Sequence, residues 1–434
     1  MFLQDRMTGR QKLVLTLLLG SQFLLAVDFS ILNVALPVIG EGLGFALADL
    51  QWIATTFALA AAGFTLLAGR VADLFGRRRL FLGGMALLGL SSLVGGLATE
   101  PEILLPARIL QGLATAVVTP AGLALLTTSF PEGPLRRKAL GLNGALMSAG
   151  FTSGAILGGL LTELLSWRWA FFINVPVAAA VLVLAPMVIS ESRPAERPRM
   201  DVPGAVTVTL GLLALVFGLS HSNLPALAAG IVLLVAFWFV ERRAAAPLVS
   251  IRVLKQVKWA NLAGLLAFAT ETSLVFLMTL YLQNVLGYTP LATGLAFGVL
   301  GLGTVLGGLL APRIKSPKIL LYGFAVQAVA TASLALLGSE SGWIWLLLAA
   351  TFVGGVGNMI AIVGFMVRAT SVPDSEQGLA TGLATMSQQV GITMGIPIMS
   401  AVVVMTDIST AVLVNAALVV AAALLPARSR ANAG

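Results

Sequence analysis

Two acidic residues lie inside otherwise apolar stretches of the chain. Asp28 lies in Phe23–Pro37, FLLAVDFSILNVALP, and Glu271 lies in AFATETSLVF. A carboxylate deep in a bilayer costs about 2.5–3.5 kcal/mol on insertion scales, so it is usually functional. Because burial disfavours the charged form of a carboxyl group, each acid could take up a proton on one side of a membrane and release it on the other. Each could instead bind a cationic substrate, or pack as a hydrogen-bonded carboxyl group between helices.

Other polar residues also lie inside apolar stretches. Arg108 is a third charged residue of this kind, and an arginine there can bond backbone carbonyls or extend its side chain to the interface. Amides and aromatic rings could line a substrate cavity, although most such side chains face packing partners or lipid. The candidates for a cavity are Asn33, Gln111, Asn174, Phe268, Tyr281, Gln283, Asn358 and Gln388.

The composition indicates an all-α membrane protein that crosses the bilayer many times. Hydrophobic residues make up 58% of the 434 residues and charged residues 10%, whereas about 25% of an ordinary soluble protein is charged. A spanning helix needs about 20 mostly apolar residues. Fourteen apolar runs qualify, at 13–38, 49–69, 80–98, 102–127, 138–162, 169–190, 203–221, 225–241, 259–283, 290–311, 319–338, 343–367, 379–404 and 409–426.

The basic residues orient these fourteen predicted helices. With the N-terminus inside, 24 of the 26 Lys and Arg residues fall in loops or tails on one side, as the positive-inside rule requires of the cytoplasmic side. We therefore expect both termini to be cytoplasmic and the protein to lie in the plasma (inner) membrane. The net charge of +8 then reflects topology, and we expect no binding to nucleic acid.

Three features recur at nearly one spacing along the chain. Asp28 and Glu271 are 243 residues apart, Gly69 and Gly308 are 239 apart, and Gly150 and Gly391 are 241 apart. A repeat of this length is typical of transporters built from two similar halves. It predicts an N-terminal six-helix half at 1–190, a two-helix insert at 191–250, and a C-terminal six-helix half at 251–434.

Two glycine-containing motifs complete the pattern. The loop after the second run, GRVADLFGRRR, contains Gly69, Asp73, Gly76, Arg77 and Arg78. A tight turn with an acid on one side and bases on the other can clamp two helix ends and release them, although it could be a plain positive-inside anchor. In the fifth run, glycines at four-residue spacing allow two helix backbones to approach closely, which is also ordinary packing in membranes. These glycines are Gly150, Gly154 and Gly158, with Gly159 beside them.

These motifs resemble those of a known family along the whole chain. GRVADLFGRRR is similar to the cytoplasmic signature loop of the major facilitator superfamily. VDFSILNVALP, the RILQG that begins at Arg108, and the GFTSGAILGG that begins at Gly150 resemble signatures of its fourteen-helix drug:proton antiporter branch. The resemblance implies the major facilitator fold and proton-coupled efflux by alternating access. It also implies that Asp28 carries the proton, that Arg108 helps to expel it, and that the loop is a cytoplasmic gate.

Two residues depart from the family pattern. Ala155 stands where the antiporter signature usually has proline, and Leu74 stands where the loop often has a base. The first departure leaves open a metabolite or nutrient uniporter or symporter of the same fold, and a membrane sensor that transports nothing also remains open. Two buried acids favour lipophilic, cationic drugs or antibiotics as substrates.

Several classes of protein are disfavoured by what the sequence lacks. There is no cysteine, there is one histidine, and there is no GxxxxGK[ST] loop, which argues against a metal or thiol enzyme and against ATP hydrolysis. We expect a secondary transporter without a cofactor, which uses the proton gradient as its energy source. Its expected partners are a small-molecule substrate, protons and the lipid bilayer, and we expect a monomer.

Overall fold

The computed structural model describes residues 7–46, 49–130, 134–192, 201–220, 223–244, 251–314, 316, 318–372 and 377–431, apart from some side chains within these ranges. All regular structure in these ranges is helical. The α-helices are α1 Gly9–Leu43, α2 Gln51–Phe75, α3 Arg77–Gly96, α4 Pro101–Ser129, α5 Pro134–Leu164, α6 Trp169–Phe172, α7 Asn174–Val188, α8 Val202–Ser220, α9 Leu224–Arg243, α10 Ile251–Leu280, α11 Pro290–Leu310, α12 Ile319–Ser333, α13 Ile344–Ala369, α14 Gln377–Met405 and α15 Ile408–Ala431. A π-helical turn, Tyr281–Val285, follows α10, and short 3₁₀ turns lie at Ala311–Arg313, Leu334–Leu336 and Ser341–Trp343.

Most of these helices are long enough and apolar enough to cross a membrane. Eleven helical segments of the described chain meet both conditions, with α6 and α7 forming one span at Trp169–Val188. Helices α2, α5 and α8 lie outside that set, although they contain 25, 31 and 19 residues. A helix rises 1.5 Å per residue, so about 20 residues match the hydrocarbon core of a bilayer. The protein is therefore an integral, multi-pass membrane protein.

Local sequence sets several helix ends. Helix α1 begins with a capping box, in which the Thr8 hydroxyl accepts from the Gln11 N–H and the Gln11 side chain accepts from the Thr8 N–H. It ends at Gly44, whose φ of 74° is left-handed and suits glycine. Gly76 separates α2 from α3 with a φ of 112°. A side chain at that position would be strained, so the loop requires glycine there.

The chain divides into two compact units. The first contains Met1–Phe45 and Trp52–Met200, and the second contains Ala46–Gln51 and Asp201–Gly434. Helices α8 and α9 pack on each other in the second unit, where α8 also contacts α14. The sequence predicted two repeated halves, 1–190 and 251–434, with an insert at 191–250. That division stays a prediction.

Within each unit, glycines let helix backbones touch in the same pattern. In the first unit α5 packs on α1 and α4 packs on α2, with Gly154 against Val27 and Gly112 against the Phe57 carbonyl. In the second unit α14 packs on α10 and α13 on α11, where the matching contacts are Gly395 with Ala269 and Gly355 with Leu300. The repeat inferred from spacing thus corresponds to a repeated set of backbone contacts.

These contacts also fix the register of the repeat. Gly150 meets Phe23 while Gly391 meets Leu265, which aligns α1 with α10 at an offset of 242 residues. At that offset the counterpart of Asp28 is Thr270, and Glu271 corresponds to Phe29. The expected pairing of Asp28 with Glu271 is therefore wrong by one residue. One residue is about 100° around a helix, so the two acids face different surroundings.

The glycine contact between α1 and α5 generates a first prediction. A Cβ at Gly154 would lie 2.9 Å from the Val27 carbonyl oxygen, so Gly154→Ala should lower stability by about 1–3 kcal/mol. A Cβ at Gly83 would meet nothing within 4 Å. Gly83→Ala should therefore be neutral or should gain up to about 1 kcal/mol from helix propensity. Thermal unfolding of the purified variants compares them, and equal midpoints would contradict the prediction.

Candidate functional site

The first unit contains a buried ion pair between α1 and α4. The Asp28 Oδ2 atom lies 3.5 Å from the Arg108 Nη1 atom, and these side chains are 0% and 1% exposed. Asp28 is near the middle of α1, which continues through Pro37 and ends at Leu43. Sequence analysis identified both residues separately, and the structure brings them together.

Two amides hold the other carboxylate oxygen, and a hydroxyl group links these amides to each other. Asp28 Oδ1 accepts hydrogen bonds from Asn174 Nδ2 and from Gln111 Nε2, the latter at 3.2 Å. The same two amides donate to the Ser92 hydroxyl oxygen, at 3.0 Å from Asn174 and 2.8 Å from Gln111. Side chains from α1, α3, α4 and α7 thus meet at one carboxyl group, and all are buried.

The Arg108 guanidinium group has three further contacts. Its Nε donates to the Ile53 carbonyl of α2 at 2.9 Å, and its Nη1 donates to Gln111 Oε1 at 2.9 Å. The guanidinium carbon lies 4.3 Å from the centre of the Phe57 ring, a cation–π distance. Arg108 therefore bonds a backbone carbonyl, as expected of a buried arginine, and it also faces an acid. Its role in expelling a proton stays a prediction.

One oxygen of the Asp28 carboxylate lacks a hydrogen-bond donor in the described part of the chain. Asp28 Oδ2 makes no hydrogen bond among the described residues, so its interaction with Arg108 is electrostatic. A proton bound at this oxygen would remove the negative charge that balances a buried arginine. Since an uncompensated buried charge is costly, protonation would favour a different arrangement of these helices. A single proton would therefore change the charge balance of this buried site.

The glycine motif of α5 lies against the part of α1 that carries Asp28. Gly150 contacts Phe23 and Ala26, and Gly158 contacts the Ile31 carbonyl. Close to them the Ser30 hydroxyl donates to the Phe151 carbonyl at 2.6 Å. Gly159 and Asn33 are both buried in this part of the unit. The motif and the first-helix signature, which are distant in sequence, form one packed interface.

The predicted gate loop is bound by an acid that sequence analysis missed. Glu191, three residues beyond α7, accepts from the Arg78 N–H at 3.0 Å and from the Arg79 N–H at 3.3 Å. A side chain at Gly76 would collide with this carboxylate, since a Cβ there would lie 2.8 Å from its carbon. Glu191 therefore caps the start of α3 from a distant segment. The available signal was a lone acid directly after an apolar run.

Arginines reinforce this connection at the end of α7. Arg78 donates to the Ile189 carbonyl at 3.0 Å, and the Arg77 N–H donates to the Ser192 carbonyl at 3.2 Å. Arg10 of α1 donates to the Val188 carbonyl at 3.0 Å. Gly69 lies beside Pro120 of α4, whereas the side chain of Asp73 lies outside the part that the structure describes. The loop is thus fixed to α7 through main-chain and arginine contacts.

The second unit has a neutral network where the first has its ion pair. Gln327 donates to the Thr270 hydroxyl at 3.3 Å, and Asn415 donates to the Thr270 carbonyl at 3.1 Å. The Ser273 hydroxyl donates to Asn415 Oδ1 at 3.1 Å. Thr270, the register counterpart of Asp28, is therefore held by uncharged groups, in the same way that Ser92 and Asn174 surround the acid.

Glu271 occupies a more open position than Asp28. It is partly exposed, and its carboxyl group faces the side-chain amide of Asn358 of α13. Asn358 is 3% exposed, so its amide is buried beside this carboxyl group. The structure thus pairs two of the residues that sequence analysis proposed.

The remaining cavity candidates do not form one cluster. Phe268 packs edge-on against Phe365, with ring centres 6.5 Å apart, in the core of the second unit. The Tyr281 hydroxyl donates to the Gly338 carbonyl at 2.7 Å, at the far end of α10. Gln283 follows in the π-helical turn, and Gln388 is partly buried on α14. Gln111 and Asn174 instead donate hydrogen bonds to the Asp28 carboxylate.

The buried pair generates a second prediction, which a double-mutant cycle tests. Arg108→Met should lower stability by about 3–5 kcal/mol, because it leaves Asp28 buried without its counter-charge. Asp28→Asn should also destabilise, since Arg108 then remains as the unpaired charge. The double variant should be more stable than the sum of the single losses implies. Thermal unfolding of the four proteins measures this, and strictly additive losses would rule out the pairing.

The cap at α3 generates a third prediction. Glu191→Ala should speed hydrogen exchange at the Arg78 and Arg79 amides about tenfold, because each loses a charge-assisted bond of about 1.5–3 kcal/mol. Glu100→Ala is the matched control, since Glu100 precedes α4 without a side-chain capping bond. Its exchange at the start of α4 should not change. Unaltered exchange at α3 in the Glu191 variant would refute the cap.

Comparison with known proteins places this geometry in a family. The family model of the Major Facilitator Superfamily matches residues 18–367. The cephamycin export protein CmcT of Amycolatopsis lactamdurans is 38% identical over 413 residues, which cover 90% of this chain and 85% of that protein. The puromycin resistance protein pur8 of Streptomyces alboniger is 37% identical over 407 residues, covering 89% and 81%.

Solved structures show the same fold at low sequence identity. The human organic anion transporter MFSD10 superimposes with a TM-score of 0.69 at 16% identity, covering 97% of this chain and all of that one. A POT family transporter in complex with 5-aminolevulinic acid superimposes with a TM-score of 0.71 at 13% identity, covering 94% of both chains. With the family match along most of the sequence, these likenesses show that the chain belongs to the major facilitator superfamily of membrane transporters.

Proposed function

We propose that this protein exports lipophilic, cationic antibiotics or drugs in exchange for protons, by alternating access. The observation that carries the proposal is the buried contact of Asp28 with Arg108, in which one carboxylate oxygen lacks a hydrogen bond. Export is supported by relatives whose names record cephamycin export, puromycin resistance and lincomycin resistance.

The proposed topology has fourteen spans. The eleven apolar segments are completed by α2, α5 and α8, which are each long enough to cross the hydrocarbon core. The basic loops then lie in the cytoplasm together with both termini, in the plasma (inner) membrane, and the transporter acts as a monomer. In this orientation the loop from Gly69 to Arg79 and its cap Glu191 are cytoplasmic.

In the proposed cycle, Asp28 binds a proton from the outer side while substrate leaves. Arg108 then loses its counter-charge and depends on Ile53, Gln111 and Phe57 alone. The helices that carry these residues rearrange until the site opens inward, where Asp28 releases its proton. Moving one net charge through 100 mV supplies about 2.3 kcal/mol. Exchange of one proton for one monovalent cation moves no net charge and is driven by the pH difference, whereas a second proton adds the contribution of the membrane potential. The gate loop closes the cytoplasmic side in one state and releases in the other.

Glu271 is the proposed contact for the cationic group of the substrate. Glu271 is partly exposed as a residue, whereas Asp28 is fully enclosed, and the Glu271 carboxyl group faces the side-chain amide of Asn358. A substrate cation could bind the carboxylate while a neighbouring polar group of the substrate binds the amide. Glu271 could also carry a second proton, and the experiment below distinguishes these roles.

A second candidate function is import or facilitated diffusion of a metabolite. It is favoured by Ala155, a buried residue of α5, which stands where the antiporter signature that this segment resembles usually has proline. The direction of flux decides between the two. Everted vesicles should accumulate substrate on acidification of their lumen if the protein is an antiporter, whereas an importer requires right-side-out vesicles.

The proposed proton site generates a fourth prediction. In everted vesicles, Asp28→Asn should reduce proton-driven accumulation of a cationic dye to the level of vesicles without the protein. Glu271→Gln should impair accumulation of cations while sparing a neutral substrate, if Glu271 binds the cationic group. Glu100→Gln, which removes a carboxylate at the start of α4, is the control and should transport normally. Full proton-driven transport by the Asp28→Asn variant would exclude the proposed role.

A further inference from the structure

A cavity lies at the end of the second unit where α10, α12 and α14 finish and α15 begins. It has a volume of about 410 Å³. Its walls are mainly apolar, formed by Met278, Val285, Leu334, Leu337, Val403 and Ile408. Drug-sized ligands occupy pockets of about 300–1,000 Å³ with mostly apolar walls and a few polar groups. The cavity has the dimensions and the surface of such a pocket.

The wall beside α10 is built by an unusual turn. The helix ends in the π-helical turn Tyr281–Val285, in which the Leu286 N–H donates to the Tyr281 carbonyl at 3.0 Å. The Tyr281 hydroxyl donates to the Gly338 carbonyl at 2.7 Å, which ties this turn to the segment after α12. π-Helical turns occur frequently at functional sites. Here the turn and its tyrosine fix one side of the cavity.

One charged residue, Asp407, lies among the cavity's lining residues. Its Oδ1 accepts a hydrogen bond of 2.7 Å from the Thr410 N–H at the start of α15. This backbone hydrogen bond, with help from the Thr410 side chain, lowers the pKa of the Asp407 carboxyl below its ordinary value. The carboxylate therefore stays ionised at neutral pH. Unlike Asp28, it is exposed and its second oxygen is not enclosed by a protein shell.

We propose that this cavity binds amphipathic organic cations, with their apolar groups against the walls and their positive charge facing Asp407. An anion would be repelled by the carboxylate, and a strongly hydrophilic ligand would not replace water from apolar walls. A lipid acyl chain could enter the cavity but would gain nothing from Asp407.

The place of the cavity in transport rests on the proposed function. With the N-terminus in the cytoplasm, this end of the second unit faces outward, so the site would hold a cation on the side of release. Binding itself needs neither a proton gradient nor a direction of flux. A failure of proton-coupled export therefore leaves the binding experiment intact.

The absence of cysteine from the chain permits a local test of occupancy. Ser409→Cys places a single thiol on the cavity wall, and Ser341→Cys places one on an exposed turn that does not line it. Purified protein is labelled with a maleimide in the presence of tetraphenylphosphonium or of tetraphenylborate, which have nearly the same shape and opposite charge. We expect tetraphenylphosphonium to slow labelling at Ser409→Cys severalfold and to leave Ser341→Cys unaffected.

A variant without the Asp407 charge distinguishes binding of a cation from simple apolar binding. Asp407→Asn should abolish protection by tetraphenylphosphonium, while it preserves the helix start, because asparagine caps helices as well as aspartate does. Glu340→Gln, which neutralises an acid that does not line the cavity, should leave protection unchanged. Equal protection by the two ions would show an apolar or lipid crevice only. That result, or no protection by either ion, would overturn the proposal.

Discussion

The contact between Asp28 and Arg108 is the interaction on which the first unit depends most. Removing two charges from water costs several kcal/mol per ion even after relaxation, so a buried pair persists only with good geometry and extra hydrogen bonds. Those bonds come from Gln111, Asn174 and the Ile53 carbonyl. Each is on a different segment, so satisfying the pair fixes α1, α2, α4 and α7 together. A change in either charge would therefore act on the packing of several helices at once.

The second unit shows that the fold does not require this pair. It repeats the backbone contacts of the glycines, yet at the position matching Asp28 it has Thr270 within a network of uncharged side chains. A neutral network provides hydrogen bonds to the buried polar groups of the corresponding helices without the desolvation cost of ions. The charges of the first unit therefore add a cost that packing alone does not explain, and this favours a role in transport over a role in stability.

The helices could be predicted from the sequence alone, whereas the hydrogen-bond partners of the buried acid could not. Apolar runs of about 20 residues gave the helices because span length is set by the bilayer, and Asp28, Arg108 and Glu271 stood out because charges are rare there. The hydrogen-bonded shell was hidden because Ser92, Gln111 and Asn174 come from three different helices. Register was hidden for a related reason, since residue spacings of 239 to 243 fit several alignments and only the backbone contacts align α1 with α10 at 242.

Glu191 illustrates a different limit. Its role depends on a loop more than 110 residues earlier in the chain, where Gly76 leaves space that any side chain would fill. The glycine could be explained locally as a turn residue, and the acid could be explained as a solvated end of a helix. Only together do they form a cap, in which a carboxylate meets the N–H groups at the start of α3.

The acids of this protein differ in how completely the protein encloses them, and this difference assigns their chemistry. Asp28 is sealed within amides and an arginine, so only a particle as small as a proton can reach it without displacing a helix. Asp407 is exposed and Glu271 is partly exposed as a residue, so a bulky cation can approach them more readily than it can approach Asp28. In the proposed function, proton coupling and cation recognition therefore act through separate carboxylates, and competition for a single acid is not required.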